Sequence, residues 1–132
     1  MDSPRLYVAF YRPHYGNFIH WALAIEHGDT GVTIQVIGEH PEFERNTIDQ
    51  RAEDNEGFLN KLFVGVISEA DIGLIKALAS SQPVDNETVE WDCQDYVLEF
   101  LDKLEKEYVL DADDEEYREA RQELKKRRGA TY

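Results

Sequence analysis

The chain has 132 residues, 42% hydrophobic and 11% aromatic, so one domain with a packed core is expected and a disordered chain is excluded. Its 14 Lys and Arg against 28 Asp and Glu give a formal net charge of −14, which argues against nucleic acid and anionic membranes as partners. A single cysteine, no signal-like start and no run of about 20 apolar residues predict a cytoplasmic protein without disulfides or a membrane span.

Strand-like alternation dominates the first half of the chain. Three strands are predicted, over 5–11, 18–27 and 32–38, with a turn signal at Gly28–Gly31 between the second and third. The polar stretch 39–57 lacks periodicity and is expected to be a long surface loop with room for a short helix. The first half should therefore form an antiparallel meander.

The second half is mainly helical after one more strand, predicted over 58–67. Helices are expected over 69–80, from Cys93 onward, and over about 113–128. The last of these helices has a narrow apolar stripe. It is expected to pack lightly on the domain or to bind a partner. The predicted fold is α+β, an antiparallel sheet of about four strands packed against helices, in one domain 1–132 with its core in about 5–108.

Cys93 is the only cysteine and opens an amphipathic helix, with Val97, Phe100 and Leu104 on the same face. A thiol in the first helical turn feels the positive end of the dipole and unpaired N–H groups, and both favour the thiolate. This placement predicts a nucleophile. The alternative is a buried structural thiol, because free cysteine is among the most buried residue types.

Nearby carboxylates oppose activation of that thiol. Glu90, Asp92 and Asp95 surround Cys93 in the sequence, and negative charge raises a thiol pKa unless those groups point away. Asp92 is expected to cap the helix, with Asp95 as its first-turn partner.

His20 is the preferred base for Cys93 because it opens a strand on the same face as Ala22 and Ala24. Two small residues would leave room for the Cys93 helix to approach that face closely. A hydrogen-bonded sheet histidine without a catalytic role is the alternative.

The group that would orient His20 is left open. Glu39 or His40 is expected near it across the second hairpin, with Gln35 further along the strand. Gln94 and Gln35 are candidates for the oxyanion site or the rim, with Gln94 expected to face solvent or the rim, and the Cys93 N–H is the preferred oxyanion donor.

Other chemistry lacks support in the sequence. Four scattered histidines and one cysteine do not have metal-ligand spacing, and no phosphate-binding glycine motif is present. No cofactor and no metal are therefore expected. An early group of aromatic residues is consistent with an apolar groove or with ordinary core packing; it comprises Tyr7, Phe10, Tyr11, Tyr15, Phe18 and Trp21.

Two short motifs, FIHWALAIE at 18–26 and WDCQDYVLEFL at 91–101, carry a family resemblance. Together they resemble the circularly permuted branch of the NlpC-type papain-like fold, which includes lecithin:retinol acyltransferase-like enzymes and PPPDE peptidases. The resemblance implies His20 as base and Cys93 as nucleophile, followed by Tyr96 and Val97 at the aromatic and aliphatic positions. The chain departs from the family pattern in having Asp92 in place of asparagine and Asp95 in place of histidine.

The chain as a whole is also similar to fungal proteins that share its His-Trp-Ala-Leu and Trp-Asp-Cys-Gln-Asp elements. The favoured function is a thiol-dependent hydrolase or acyltransferase acting on an ester, thioester or amide of a small-molecule or peptide substrate. The alternative is an inactive papain-like module that binds a protein partner through its acidic surface. A small-ligand binder with an apolar pocket away from Cys93 is the third class considered.

Overall fold

The computed structural model describes residues 3–132 as a five-stranded antiparallel sheet with three helices. The strand order is β4-β3-β2-β1-β5. The strands are β1 (Arg5–Tyr11), β2 (His20–His27), β3 (Thr30–Ile37), β4 (Glu44–Ile48) and β5 (Phe58–Val66). The helices are α1 (Glu69–Ala79), α2 (Cys93–Lys106) and α3 (Glu115–Arg127). The predicted α+β class with an antiparallel sheet is confirmed.

The prediction of a loop over 39–57 is wrong in part, because this stretch contains β4, a strand that the sequence did not predict. β4 pairs with β3 from Ile37↔Glu44 to Thr33↔Ile48. Its sequence ERNTI is mostly polar and half of it faces solvent, so it lacks the apolar alternation by which strands are recognised. A short 3₁₀ turn at Ala52–Asp54 follows.

The two faces of the sheet carry side chains of different size. On β2, Trp21, Leu23 and Ile25 join the main core, which also contains the apolar face of α2. Ala22 and Ala24 lie on the opposite face, against Ala9, Tyr11 and Ala52. The expectation that the Cys93 helix covers the alanine face is therefore wrong. The large side chains need the apolar stripe of a helix, whereas the Tyr11 ring and the 3₁₀ turn suffice to cover the small ones.

Helix α2 begins as the sequence predicts. The Asp92 carboxylate accepts a hydrogen bond from the Gln94 N–H at 2.9 Å, and Asp95 accepts one from the Asp92 N–H at 3.0 Å. This capping box satisfies backbone donors of the first turn. It also fixes the position at which Cys93 enters the helix.

Helix α3 is fully integrated, contrary to the expectation that it packs lightly or serves a partner. Tyr117, Ala120 and Leu124 are buried in the main core. Arg121 bridges α3 to α2 through an ion pair with Glu105 at 2.8 Å. The apolar stripe of α3 therefore packs against the core of the same chain.

The C-terminal tail continues from α3 along the segment that leads into β2. Ala130 accepts a hydrogen bond from the Ile19 N–H at 3.1 Å, and the Tyr132 N–H donates to the Asn17 carbonyl at 2.9 Å. The tail therefore fixes the chain immediately before His20.

Strands β2 and β3 separate at one end of the sheet. Their ladder runs from His27↔Thr30 only to Leu23↔Ile34, although β2 itself begins at His20. The end of β2 that has no partner on β3 remains paired with β1, through Tyr11↔His20. This divergence opens a space between the start of β2 and the end of β3.

Within residues 3–132, no helix is both long and apolar enough to cross a bilayer.

Candidate active site

A cavity of about 470 Å³ lies where β2 and β3 separate, and this volume is within the roughly 300–1,000 Å³ typical of small-molecule sites. His20 and Cys93 both contribute to its wall. The remaining lining comes from the loop before β2, the end of β3, the β3–β4 turn and Asp92. The two residues that the sequence singles out therefore share one cavity.

His20 is held by a hydrogen-bonded chain that crosses three strands. Its Nε2 lies 2.6 Å from Gln35 Oε1 on β3, and Gln35 Nε2 donates to Asn46 Oδ1 on β4 at 3.1 Å. Because Gln35 presents its oxygen, the His20 Nε2 must be the donor. Neutral His20 then has its lone pair on Nδ1, which is the atom that would accept a proton.

The orienting partner of His20 is therefore Gln35, and the role predicted for Glu39 or His40 is not observed. Glu39 is exposed and lines the cavity, as part of the turn after β3. His40 does not line the cavity, and its Nδ1 is buried without a hydrogen-bond partner among residues 3–132. The β2–β3 separation explains the error, because a continuous ladder would have placed the turn opposite His20.

Burial lowers the pKa of His20, and nearby His14 lowers it further, whereas the hydrogen bond that His20 donates to Gln35 raises it. The imidazole is therefore neutral at physiological pH. This is the protonation state that a general base requires before reaction.

The Cys93 thiol is half-buried at the start of α2. Its burial raises the pKa of Cys93 to about 12, and the charge of Asp92 adds to the effect. Backbone hydrogen bonding from Trp21 and Gln94, and the charge of Arg128, act in the opposite direction. The effect of desolvation on the Cys93 pKa is larger than that of the helix N-terminus. Cys93 is therefore a protonated thiol at rest.

His20 and Cys93 reach the cavity from opposite faces of the sheet. His20 follows the side of Ala22 and Tyr11, whereas α2 covers the side of Trp21. Within residues 3–132, the Cys93 sulfur makes no hydrogen bond to the His20 ring. The two groups are thus brought into one cavity without being paired at rest.

The positive charge of Arg128 opposes the negative charge of the carboxylates that the sequence places around Cys93. Its Nη2 lies 2.8 Å from Asp95 Oδ2 and 3.6 Å from Asp92 Oδ1, and Glu90 is exposed. Each of the two near carboxylates therefore has a cationic neighbour in addition to its capping role.

Gln94 is completely buried, so its predicted place at the rim is wrong. Its Nε2 donates to the Ile19 carbonyl at 2.8 Å. Its Oε1 accepts from Arg128 Nη1 at 2.6 Å and from the Gly129 N–H at 2.8 Å. Gln94 thereby joins the start of α2 to the entry of β2 and to the end of α3.

Sequence reasoning did not identify Asn46 and Arg128 as part of the site. Asn46 lies on the unpredicted strand β4, so no local signal marked it. Arg128 caps α3 and ends the basic run of its last turn, which is well explained by the helix dipole alone. Only the tertiary fold places it at the first turn of α2.

The early aromatic residues do not form one groove. Phe10 and Trp21 belong to the main core, and Tyr7 and Tyr11 to the opposite face. Tyr15 and Phe18 line the Cys93 cavity. Within residues 3–132, no group of three or more His, Cys, Asp or Glu is placed to hold a metal ion.

The raised pKa of Cys93 predicts its alkylation profile. Below the folded pKa the thiolate fraction rises about tenfold per pH unit, so the iodoacetamide rate should climb between about pH 7 and 10 without a plateau. At neutral pH it should be slower than that of free cysteine, whose pKa is about 8.5. A rate that is already constant from about pH 6 would instead indicate a preformed thiolate–imidazolium pair.

No curated protein and no solved structure matches this chain. The family comparison does give a match, over residues 6–111. This region includes the sheet except for Arg5, both candidate residues and helix α2, and it ends before α3 and Arg128. The chain belongs to DUF6540, a family of unknown function.

Proposed function

We propose that the protein is a thiol-dependent hydrolase or acyltransferase acting on an ester, thioester or amide bond, with Cys93 as nucleophile and His20 as base. The observation that carries the proposal is the shared cavity, in which a neutral His20 is held through Nε2 by Gln35. An imidazole fixed in this tautomer keeps its Nδ1 lone pair for a proton.

The thiol is protonated at rest, so the proposed route is general-base attack. His20 takes the Cys93 proton as the sulfur bonds to the acyl carbon, and then gives it to the leaving group as the tetrahedral intermediate collapses. In the second half-reaction His20 takes a proton from water or an amine as it attacks the acyl carbon, the bond between Cys93 sulfur and the acyl group breaks, and the sulfur recovers the proton from His20. Approach of the two groups on substrate binding is part of this proposal, because catalytic hydrogen bonds often tighten only in the complex.

The oxyanion of the intermediate would lie at the start of α2. The Cys93 N–H has no hydrogen-bond partner among residues 3–132. Such a free donor at a helix N-terminus stabilises developing negative charge.

The resemblance to the permuted NlpC-type papain-like fold supports the same assignment. In that branch a histidine at the start of a strand precedes a cysteine that opens a helix. Here His20 begins β2 and Cys93 begins α2.

A non-catalytic interaction module is the second candidate. It is favoured by the high pKa of Cys93 and by the missing thiol–imidazole hydrogen bond at rest. An acidic surface, with a net charge of −14, would then attract a basic protein partner.

Thioester turnover distinguishes the two candidates. With a short neutral acyl thioester as substrate, Cys93→Ala should reduce hydrolysis to background, and His20→Ala should lower kcat by at least about 100-fold. His27→Ala, at the opposite end of β2, is the matched control and should leave the rate unchanged. Undiminished turnover in Cys93→Ala would exclude Cys93 as the nucleophile.

A further inference from the structure

We infer that the Cys93 cavity selects a substrate that carries a positive charge close to an apolar acyl group. This inference rests on the proposed function and adds the chemical class of the substrate. It follows from the distribution of charged and apolar side chains around the cavity.

Part of the cavity lining is acidic. Glu39, Glu42 and Glu44, from the β3–β4 turn and the first residue of β4, line it and are exposed. Within residues 3–132 none of the three forms an ion pair, and no Lys or Arg lines the cavity. Three uncompensated carboxylates in a concave site concentrate negative potential there.

The acidic turn is fixed relative to the thiol. Asn86 holds the backbone of Phe43 at both ends, accepting from its N–H at 2.8 Å and donating to its carbonyl at 3.1 Å. The Phe43 ring also packs edge-on against Trp91, two residues before Cys93, with 5.7 Å between ring centroids. The turn is therefore tied to the segment that leads into α2.

A glycine makes this turn possible. Gly38 has φ +94°, and a Cβ there would lie 2.9 Å from the Glu42 carbonyl oxygen. Only glycine accepts this backbone without strain. The position of the glutamates is consequently part of the fold.

Apolar side chains that are open to solvent also line the cavity. Tyr15, Phe18 and Ile37 line it and keep 56%, 50% and 40% of their surface exposed. Large apolar side chains grouped at a concave site mark a surface that binds something. Ile37 pairs with Glu44 across β3 and β4, so apolar and acidic side chains are neighbours in this lining. Together they suit a molecule with an apolar acyl group close to an ammonium or guanidinium group.

Among the other titratable groups that line the cavity within residues 3–132, none is a Lys or Arg that could pair with these carboxylates. His20 is neutral because burial lowers its pKa, and Cys93 is a thiol. Burial raises the pKa of Asp92, whereas the charge of Arg128 lowers it. Arg128 lies 3.6 Å from Asp92 and does not line the cavity. His14 and Tyr15 are the remaining titratable groups on the wall.

Thiol-reactive probes of different charge test the inference without requiring turnover. The reagents are the trimethylammonium-ethyl and sulfonatoethyl methanethiosulfonates, with methyl methanethiosulfonate as the neutral reference. The chain has one cysteine, so every adduct reports Cys93. The ratio of the cationic to the anionic rate cancels the intrinsic reactivity of the thiol.

The decisive comparison uses two triple variants with the same change in net charge. In Glu39→Gln, Glu42→Gln, Glu44→Gln, the rate ratio should fall about fivefold or more at low ionic strength. The control, Glu56→Gln, Glu115→Gln, Glu119→Gln, replaces three exposed glutamates outside the cavity and should leave the ratio within about twofold.

Equal ratios in the two triple variants would overturn the inference, because the preference would then reflect only the net charge of the protein. A selective loss in the cavity variant supports it, and added salt should reduce the wild-type preference. Failure of the proposed function has a different signature, namely unchanged thioester hydrolysis in Cys93→Ala. The two failures are therefore distinguishable.

Discussion

Replacing Gln94 with alanine is expected to lower the free energy of unfolding by about 3 kcal/mol. The side chain is completely buried and makes three hydrogen bonds, to the Ile19 carbonyl, the Arg128 guanidinium and the Gly129 N–H. Its removal leaves the Ile19 carbonyl and the Gly129 N–H without this partner and creates a cavity at the start of α2. Arg128 loses one hydrogen bond but keeps its contacts with Asp95. Urea denaturation at neutral pH measures the change.

Gln122→Ala is the matched control, because Gln122 is exposed on α3. We expect it to change the unfolding free energy by less than about 0.5 kcal/mol. A similarly small effect for Gln94→Ala would mean that the tie between α2, the entry of β2 and the end of α3 does not stabilise the protein.

Gln35→Leu is expected to reduce kcat about 100-fold while leaving the fold intact. Leucine is close in size to glutamine but cannot accept the hydrogen bond from His20 Nε2. The tautomer with Nδ1 as base is then no longer favoured. Since the Gln35 hydrogen bond raises the pKa of His20, its loss should lower that pKa further, which NMR titration of the ring protons detects.

The Gln35→Glu variant tests whether Gln35 orients the His20 imidazole or only packs against it. A carboxylate restores the acceptor and adds negative charge, so the pKa of His20 should rise above its wild-type value. We expect part of the activity to return relative to Gln35→Leu. If both variants have the same His20 pKa as the wild type, Gln35 does not act on the imidazole.

Local patterns predicted the elements with strong apolar periodicity. Strands β1 and β5 and all three helices lie close to their predicted bounds, and the Asp92–Asp95 capping box is present. These features depend on short-range spacing and on caps, which a sequence displays directly. Strand β4 lacks that signal, because ERNTI depends on its pairing with β3.

The site was predictable only where it depends on single elements. His20 at the start of β2 and Cys93 at the start of α2 follow from local sequence. The partner of His20 depends on where the β2–β3 ladder stops, and the role of Gln94 depends on residues near both ends of the chain. Such contacts are long-range, and no motif encodes them.

The pKa of Cys93 shows how burial reverses a prediction from position. A helix N-terminus favours the thiolate, yet desolvation is the largest influence here and raises the pKa to about 12. The proposed mechanism therefore depends on His20 as a neutral base and not on a preformed ion pair.

The most direct test of the central claim is the detection of an acyl-enzyme on Cys93. Wild-type protein is mixed with a short acyl thioester, quenched in acid after one turnover and measured by intact mass spectrometry. We predict a mass increase of one acyl group on Cys93, sensitive to hydroxylamine, formed far more slowly in His20→Ala and absent in Cys93→Ala. The same adduct at the same rate in His20→Ala, or an adduct in Cys93→Ala, would contradict the account.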